Sequence, residues 1–223
     1  MTEPTVQRMG LSYHIGWSLF RCMYATYFHW HVAHEDRVPL QGPVILASNH
    51  ASFLDPPLVG SPIRRPINFL ARESLFRFPG VGALLRSWQA VPVDRDGGTG
   101  KGLKRILERL EQGGAIILFP EGTRTRDGKL QRAHAGIGLT VIKSTAPVIP
   151  CRVFGTYKAF GRHVIIPRPV GVKVMYGEPM LFTALRAEAA QCTKQRLKEI
   201  YQQVSDEIMA AIAKLEFEPE KKI

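Results

Sequence analysis

The sequence predicts one α/β domain, a mixed and largely parallel sheet flanked by helices, and three observations predict it. Short continuous apolar runs at residues 44–47, 67–71, 89–93 and 115–119 read as buried strands. Helical patterns alternate with them, and strands alternating with helices make a largely parallel sheet. A chain of 223 residues with 45% hydrophobic content suits one well-cored domain and is short for two.

Taken in order, residues 11–32 crowd together Tyr13, Trp17, Phe20, Tyr24, Tyr27, Phe28 and Trp30, mixed with His14, Arg21, His29 and His31. A membrane span needs about 20 mostly apolar residues, and an arginine sits at the centre of this stretch. Rings with polar tips favour the membrane–water interface, so the stretch is expected to be a helix lying on or dipping into one leaflet, rather than one packed on its own core. Residues 1–35 are thus an N-terminal membrane-associating helical segment and residues 36–218 the α/β domain. No secretory signal is expected, because Glu3 and Arg21 interrupt the start and no small-residue cleavage site follows.

Gly42-Pro43 introduces the first strand, and Pro56 suits a first helical position, which makes Asp55 the expected N-cap. Residues 74–85, broken by Pro79, Gly80 and Gly82, predict two short helical pieces forming a surface groove. The glycine-rich stretch 97–102 fails as a phosphate loop, since Arg95 and Gly102 hold the positions that need glycine and Ser or Thr. The next helix carries Leu103, Ile106, Leu107 and Leu110 on one face, a Lys104–Glu108 pair, and Gly113 as its stop. Residues 147–154 and 170–176 are two further strands. From about residue 184 one long amphipathic helix with Leu197, Ile200, Tyr201, Val204, Ile208 and Ile212 closes the fold.

Thirty Lys and Arg against nineteen Asp and Glu give a net charge of +11, which calls for a polyanionic partner: nucleic acid, an anionic membrane surface or a phosphorylated substrate. No nucleic acid is expected, because no RNA or DNA motif is present and the arginines follow separate strand ends. Cys22, Cys151 and Cys192 are far apart and odd in number, which argues for a reducing compartment without a disulfide framework or zinc site.

The chemistry is expected where the run 44–47 stops at Ser48-Asn49-His50, with Asp55 five positions beyond the histidine. On a continuous helix residues five apart point about 140° from each other. Across a turn they can meet, and a carboxylate on one imidazole nitrogen leaves the other as a general base. A substrate that brings its own hydroxyl would then need no enzyme nucleophile. His31 and Asp36 share this spacing but follow no strand end. Arg72, Arg95 and Arg124 also follow strand ends, the rim where α/β sheets gather ligands, and a guanidinium offers phosphate a planar fork of donors. Arg126 and Lys129 read as solvated surface charges.

Asn49-His50-x4-Asp55, Val91-Pro92-Val93-Asp94-Arg95, Phe119-Pro120-Glu121-Gly122-Thr123-Arg124 and Val148-Ile149-Pro150 together resemble the four ordered blocks of the glycerolipid acyltransferases, most closely the lysophosphatidate (1-acylglycerol-3-phosphate) branch. The resemblance runs over residues 40–179 and includes the ending Tyr176-Gly177-Glu178-Pro179. It implies His50 as general base and Asp55 as its orienter. It further implies that Arg95, Glu121, Gly122, Thr123 and Arg124 hold the acceptor's glycerol phosphate, with Arg72 where many members carry lysine. The donor would be a fatty acyl thioester, acyl-CoA or acyl carrier protein, with no metal or organic cofactor. The enzyme would sit monotopically on the cytoplasmic face of a membrane and convert lysophosphatidate to phosphatidate in phospholipid biosynthesis. Acylation of another lysolipid, such as a lyso-ornithine lipid or a lysophospholipid, or non-catalytic binding of anionic lipid or nucleic acid are the alternatives.

Overall fold

A computed structural model describes residues 9–93 and 100–217 of the chain. Arg95, with the rest of the expected phosphate-binding stretch 94–99, lies outside the described residues. In chain order the strands are β1 (His31–Ala33), β2 (Val44–Ser48), β3 (Ile67–Arg72), β4 (Ala90–Val93), β5 (Ala115–Leu118), β6 (Val148–Phe154) and β7 (Lys173–Tyr176). The helices are α1 (Leu11–Thr26), α2 (Asp55–Gly60), α3 (Pro79–Ser87), α4 (Lys101–Glu111), α5 (Ala135–Ile142), α6 (Thr156–Phe160), α7 (Thr183–Ala189) and α8 (Lys194–Lys214). The strands form one mixed sheet in the order β1-β7-β6-β2-β5-β3-β4. β2, β3, β4, β5 and β6 run parallel, whereas β7 runs antiparallel to β6 and carries β1 parallel to itself.

Side chains alternate across the central strands and make two cores. Val44 and Leu46 of β2 and Ala115 and Ile117 of β5 face a layer containing Tyr24, Phe28, Leu58 and Ile63. Ile45, Ala47, Ile116 and Leu118 face the opposite layer, built by Ile106 and Leu110 of α4, Ile137 and Val141 of α5, and Ile200, Val204, Ile208 and Ile212 of α8. The strands are thus apolar on both faces, which is why they read as unbroken runs. The Lys104–Glu108 pair of α4 stands at 3.9 Å, as its spacing predicts.

Three expectations are corrected. The tail is two helices, α7 and α8, not one, because the chain breaks before Thr193, whose hydroxyl accepts the Arg196 N–H as the N-cap of α8. Asp55 is the first residue of α2, with Leu54 before it, and makes no capping bond to the helix. The aromatic side chains of α1 face the protein. Tyr24 and Phe28 are fully buried, the Tyr24 hydroxyl donates to Leu54 O at 2.7 Å, Trp17 Nε1 donates to Ile63 O at 3.1 Å, and the Tyr13 hydroxyl accepts the Ile67 N–H at 2.9 Å. Each polar tip has a main-chain partner, so nothing drives it to an interface. What α1 leaves outside is an aliphatic stripe, Leu11, Ile15 and Leu19, at helical spacing. β1 lies within residues 1–35 and pairs with β7, so that segment is continuous with the sheet. Among the described residues no helix is long and apolar enough to cross a membrane.

Candidate active site

β2 delivers the chain to the carboxyl edge of the sheet, where residues 49–54 turn back toward α2. Asn49 keeps the pairing with β6 going by side chain alone: Nδ2 donates to Val153 O at 3.2 Å and Oδ1 accepts the Val153 N–H at 2.8 Å. His50 then donates its backbone N–H to Glu121 Oε1 at 2.9 Å, and its carbonyl accepts from Thr125 N at 2.8 Å. The imidazole Nδ1 lies 2.8 Å from Asp55 Oδ2, and the ring stacks on Phe119 with centroids 3.9 Å apart. Asp55 is fully buried, and the same Oδ2 accepts the N–H groups of Ala51 at 2.6 Å and Ser52 at 2.7 Å. That reach back into the turn is why it does not cap α2. An ionised carboxylate only accepts, so it holds the proton on Nδ1 and leaves the Nε2 lone pair of His50 available to take a proton. The His50 side chain is 12% exposed, and among the described residues no hydrogen bond occupies its Nε2.

The loop after β5 closes over this turn. Glu121 is buried and spends both oxygens on main chain, Oε1 on His50 N–H and Oε2 on Gln131 N–H at 3.2 Å. Burial pushes its carboxyl up to about 7, against the pull of those two N–H groups, with the negative charges of Asp55 and Asp127 adding to the rise. Gly122 has φ +66°, a left-handed conformation that disfavours other residues, and a Cβ there would press on the His134 ring at 3.0 Å. Thr123 Oγ1 accepts a bond from Arg162 Nη2 at 2.5 Å. The Arg124 guanidinium lies over the Phe53 ring, 3.6 Å from its centroid. Arg72, at the end of β3, is exposed. The pairings of β5 with β2 and β3 put it level with Asn49, two strands away, or roughly 10 Å.

The acyltransferase family model matches residues 29–154, more than half of the chain. The chain belongs to the acyltransferase family. Its sequence is 32% identical over 118 residues to the chloroplastic 1-acyl-sn-glycerol-3-phosphate acyltransferase BAT2 of Brassica napus, an alignment covering 52% of this chain and 34% of that protein. It is 26% identical over 151 residues to the 1-acyl-sn-glycerol-3-phosphate acyltransferase of Bacillus subtilis, covering 67% of this chain and 72% of the relative. The chain thus spans about a third of the length of the plant relative. Its fold matches the crystal structure of the 1-acyl-sn-glycerophosphate acyltransferase PlsC of Thermotoga maritima with a TM-score of 0.70 at 23% identity, over 92% of this chain and 81% of that one.

Within this acyltransferase, the structure joins His50 and Asp55 and brings Thr123 and Arg124 beside their turn. Glu121, which the resemblance assigns to the acceptor, bonds to the backbone of His50 and Gln131. Gly122 shapes the loop. The decoy pair is separate: His31 opens β1, Asp36 lies in the 3₁₀ turn Glu35–Arg37, and no hydrogen bond joins them. Sequence reasoning missed Phe119 as the stacking partner of His50, Phe53 under Arg124, and Arg162 on Thr123. Phe119 is one residue beyond β5 and was legible as a strand end. Arg162 lies over a hundred residues from His50 and outside the family match, and no local signal marks it.

Proposed function

We propose that this acyltransferase moves a fatty acyl group from an acyl thioester, acyl-CoA or acyl carrier protein, to the free hydroxyl of lysophosphatidate, giving phosphatidate. The observation that carries this reading is the His50–Asp55 pair at 2.8 Å, with Nε2 open next to a cationic loop. His50 Nε2 takes the acceptor's hydroxyl proton as that oxygen bonds to the thioester carbonyl carbon. The C–S bond then breaks, and the leaving thiolate takes the proton from the imidazolium. Asp55 holds the tautomer and offsets the transient positive charge. Arg124, with Arg72 and, from the resemblance, Arg95, receives the phosphate, to which Thr123 can offer its hydroxyl. The relatives' names support the acceptor.

The same reading keeps the enzyme monotopically on an anionic membrane, on the cytoplasmic face, with Leu11, Ile15 and Leu19 of α1 against the lipid. Support comes from the aliphatic stripe, the +11 charge, and three free cysteines suited to a reducing compartment. The test offers purified protein a panel of lysolipids with both donor types and identifies products by mass spectrometry. Phosphatidate is the expected product. Acylation of a lyso-ornithine lipid with lysophosphatidate untouched would overturn the acceptor, and no acylation at all would leave a lipid-binding protein.

A further inference from the structure

The chain between α6 and β7 carries the most exposed large apolar side chain of the described residues, Ile165 at 93%, and its neighbour Ile166 is 77% exposed. Adjacent branched aliphatics held in water are a poor use of surface unless something covers them. The base of this loop is fixed. Val164 N–H bonds to Gly161 O at 3.0 Å, Arg168 N–H to Ala159 O at 2.9 Å and Val170 N–H to Arg168 O at 2.7 Å. Pro167 and Pro169 have no N–H at all. In residues 164–170 only Ile165 and Ile166 therefore keep an amide without a protein partner. With so few free amides but open carbonyls, the tip suits the hydrated headgroup region rather than the hydrocarbon core, where every unsatisfied backbone group is costly.

Two further observations select the occupant. Residues 155–173 contain Lys158, Arg162, Arg168 and Lys173 and no Asp or Glu, so the apolar tip stands in an exclusively cationic stretch, complementary to anionic headgroups. The loop is also joined to α1: the Tyr27 hydroxyl donates to Pro167 O at 2.8 Å. The exposed Leu11–Ile15–Leu19 stripe and the isoleucine tip thus belong to one connected part of the molecule. On its other side the loop meets the His50 turn, through Ser52 Oγ donating to Phe160 O at 2.7 Å and Arg162 bonding to Thr123.

We propose that Ile165 and Ile166 form a wedge that inserts into the headgroup region of an anionic bilayer, a second membrane contact apart from α1, and that it seats the His50 turn at the lipid surface. The wedge deepens the membrane reading above. Its occupant is lipid rather than a protein donor, because the tip is aliphatic and its loop is bonded to the end of the helix that carries the other exposed aliphatic stripe.

The test uses the full chain and vesicles of phosphatidylcholine with phosphatidylglycerol. A tryptophan in an Ile165→Trp variant should be quenched by lipids brominated near the headgroup. Ile165→Ser combined with Ile166→Ser should weaken vesicle sedimentation by about tenfold per isoleucine, the order expected for partial transfer of one branched aliphatic side chain. Acylation of vesicle-borne lysolipid should fall in parallel, while acylation of detergent-dispersed lysolipid stays at the wild-type rate. Wild-type protein that ignores vesicles would overturn the membrane reading as a whole. Wild-type binding with equal binding by the double variant and no quenching would overturn the wedge alone. So would a double variant that binds vesicles normally but needs more acyl carrier protein thioester, since the tip would then dock the donor.

Discussion

The turn that holds His50 and the basic rim around it are built by opposite means. In the turn, Asn49, Asp55 and Glu121 are buried, and their side chains bond mainly to backbone groups, whose positions the sheet fixes. On the rim, Arg124 rests on the largely exposed Phe53 ring, and Arg162 reaches Thr123 between two exposed side chains. The first arrangement is preorganised and loses little entropy when it acts; the second can move with its loops. Rate and acceptor choice should therefore be separable by mutation. The proton-transfer machinery would set kcat, and the rim would set which headgroup is used.

The largest effect is expected in the turn. His50→Ala should lower kcat by about 10²–10⁴-fold, the usual scale for losing a general base, with near-native circular dichroism. His31→Ala should keep most of the activity, because His31 is an exposed residue of an edge strand. Equal losses in the two variants would break the assignment of the chemistry to the turn. A smaller effect is expected on the rim. Arg124→Ala should reduce kcat/KM for the phosphorylated acceptor by about 10- to 100-fold, as for loss of a charge-assisted bond, while KM for the thioester is unchanged. An Arg124→Ala variant with lower kcat and an unmoved acceptor KM would show that the rim takes part in the chemistry.

The same contrast explains what the sequence discloses. His50 and Asp55 were legible because one turn of five residues brings them together, and β2, β5 and α4 because their patterns are local. β1 was hidden: three residues become a strand only by pairing with β7, far along the chain. α5 was hidden by Gly136 and Gly138, poor helix formers. Gly138 is there because its Cα faces the Tyr201 carbonyl of α8, and its N–H bonds to Ser205 Oγ at 3.1 Å. The α1 aromatics misled because an amphipathic ring suits a membrane interface and a core with carbonyls in reach equally well. Only the positions of Ile63 and Leu54 decide between them.

Glu121 joins the two regions, since its carboxylate links the His50 amide to the rim loop at Gln131. The ionised form accepts both N–H groups. Once protonated, one oxygen carries a hydrogen toward an N–H and one link is lost, so His50 is held best above the carboxyl's value of about 7. Stability has the opposite sign. The folded value lies above the ordinary 4.5, so this group's stabilising contribution is complete below that pH and is lost as pH rises through about 7. At ~1.4 kcal/mol per unit, the loss is of order 3 kcal/mol. Glu121→Gln cannot titrate, and its amide nitrogen opposes the Gln131 N–H. The variant should be about tenfold slower than wild type above pH 7, on the scale of one strained buried bond, with the difference narrowing at lower pH. Urea unfolding from pH 4.5 to 8 should give a wild-type-minus-variant free energy that declines with pH. Parallel profiles for the two proteins would mean that Glu121 does not titrate in this range and that the turn and the rim are not linked through its charge.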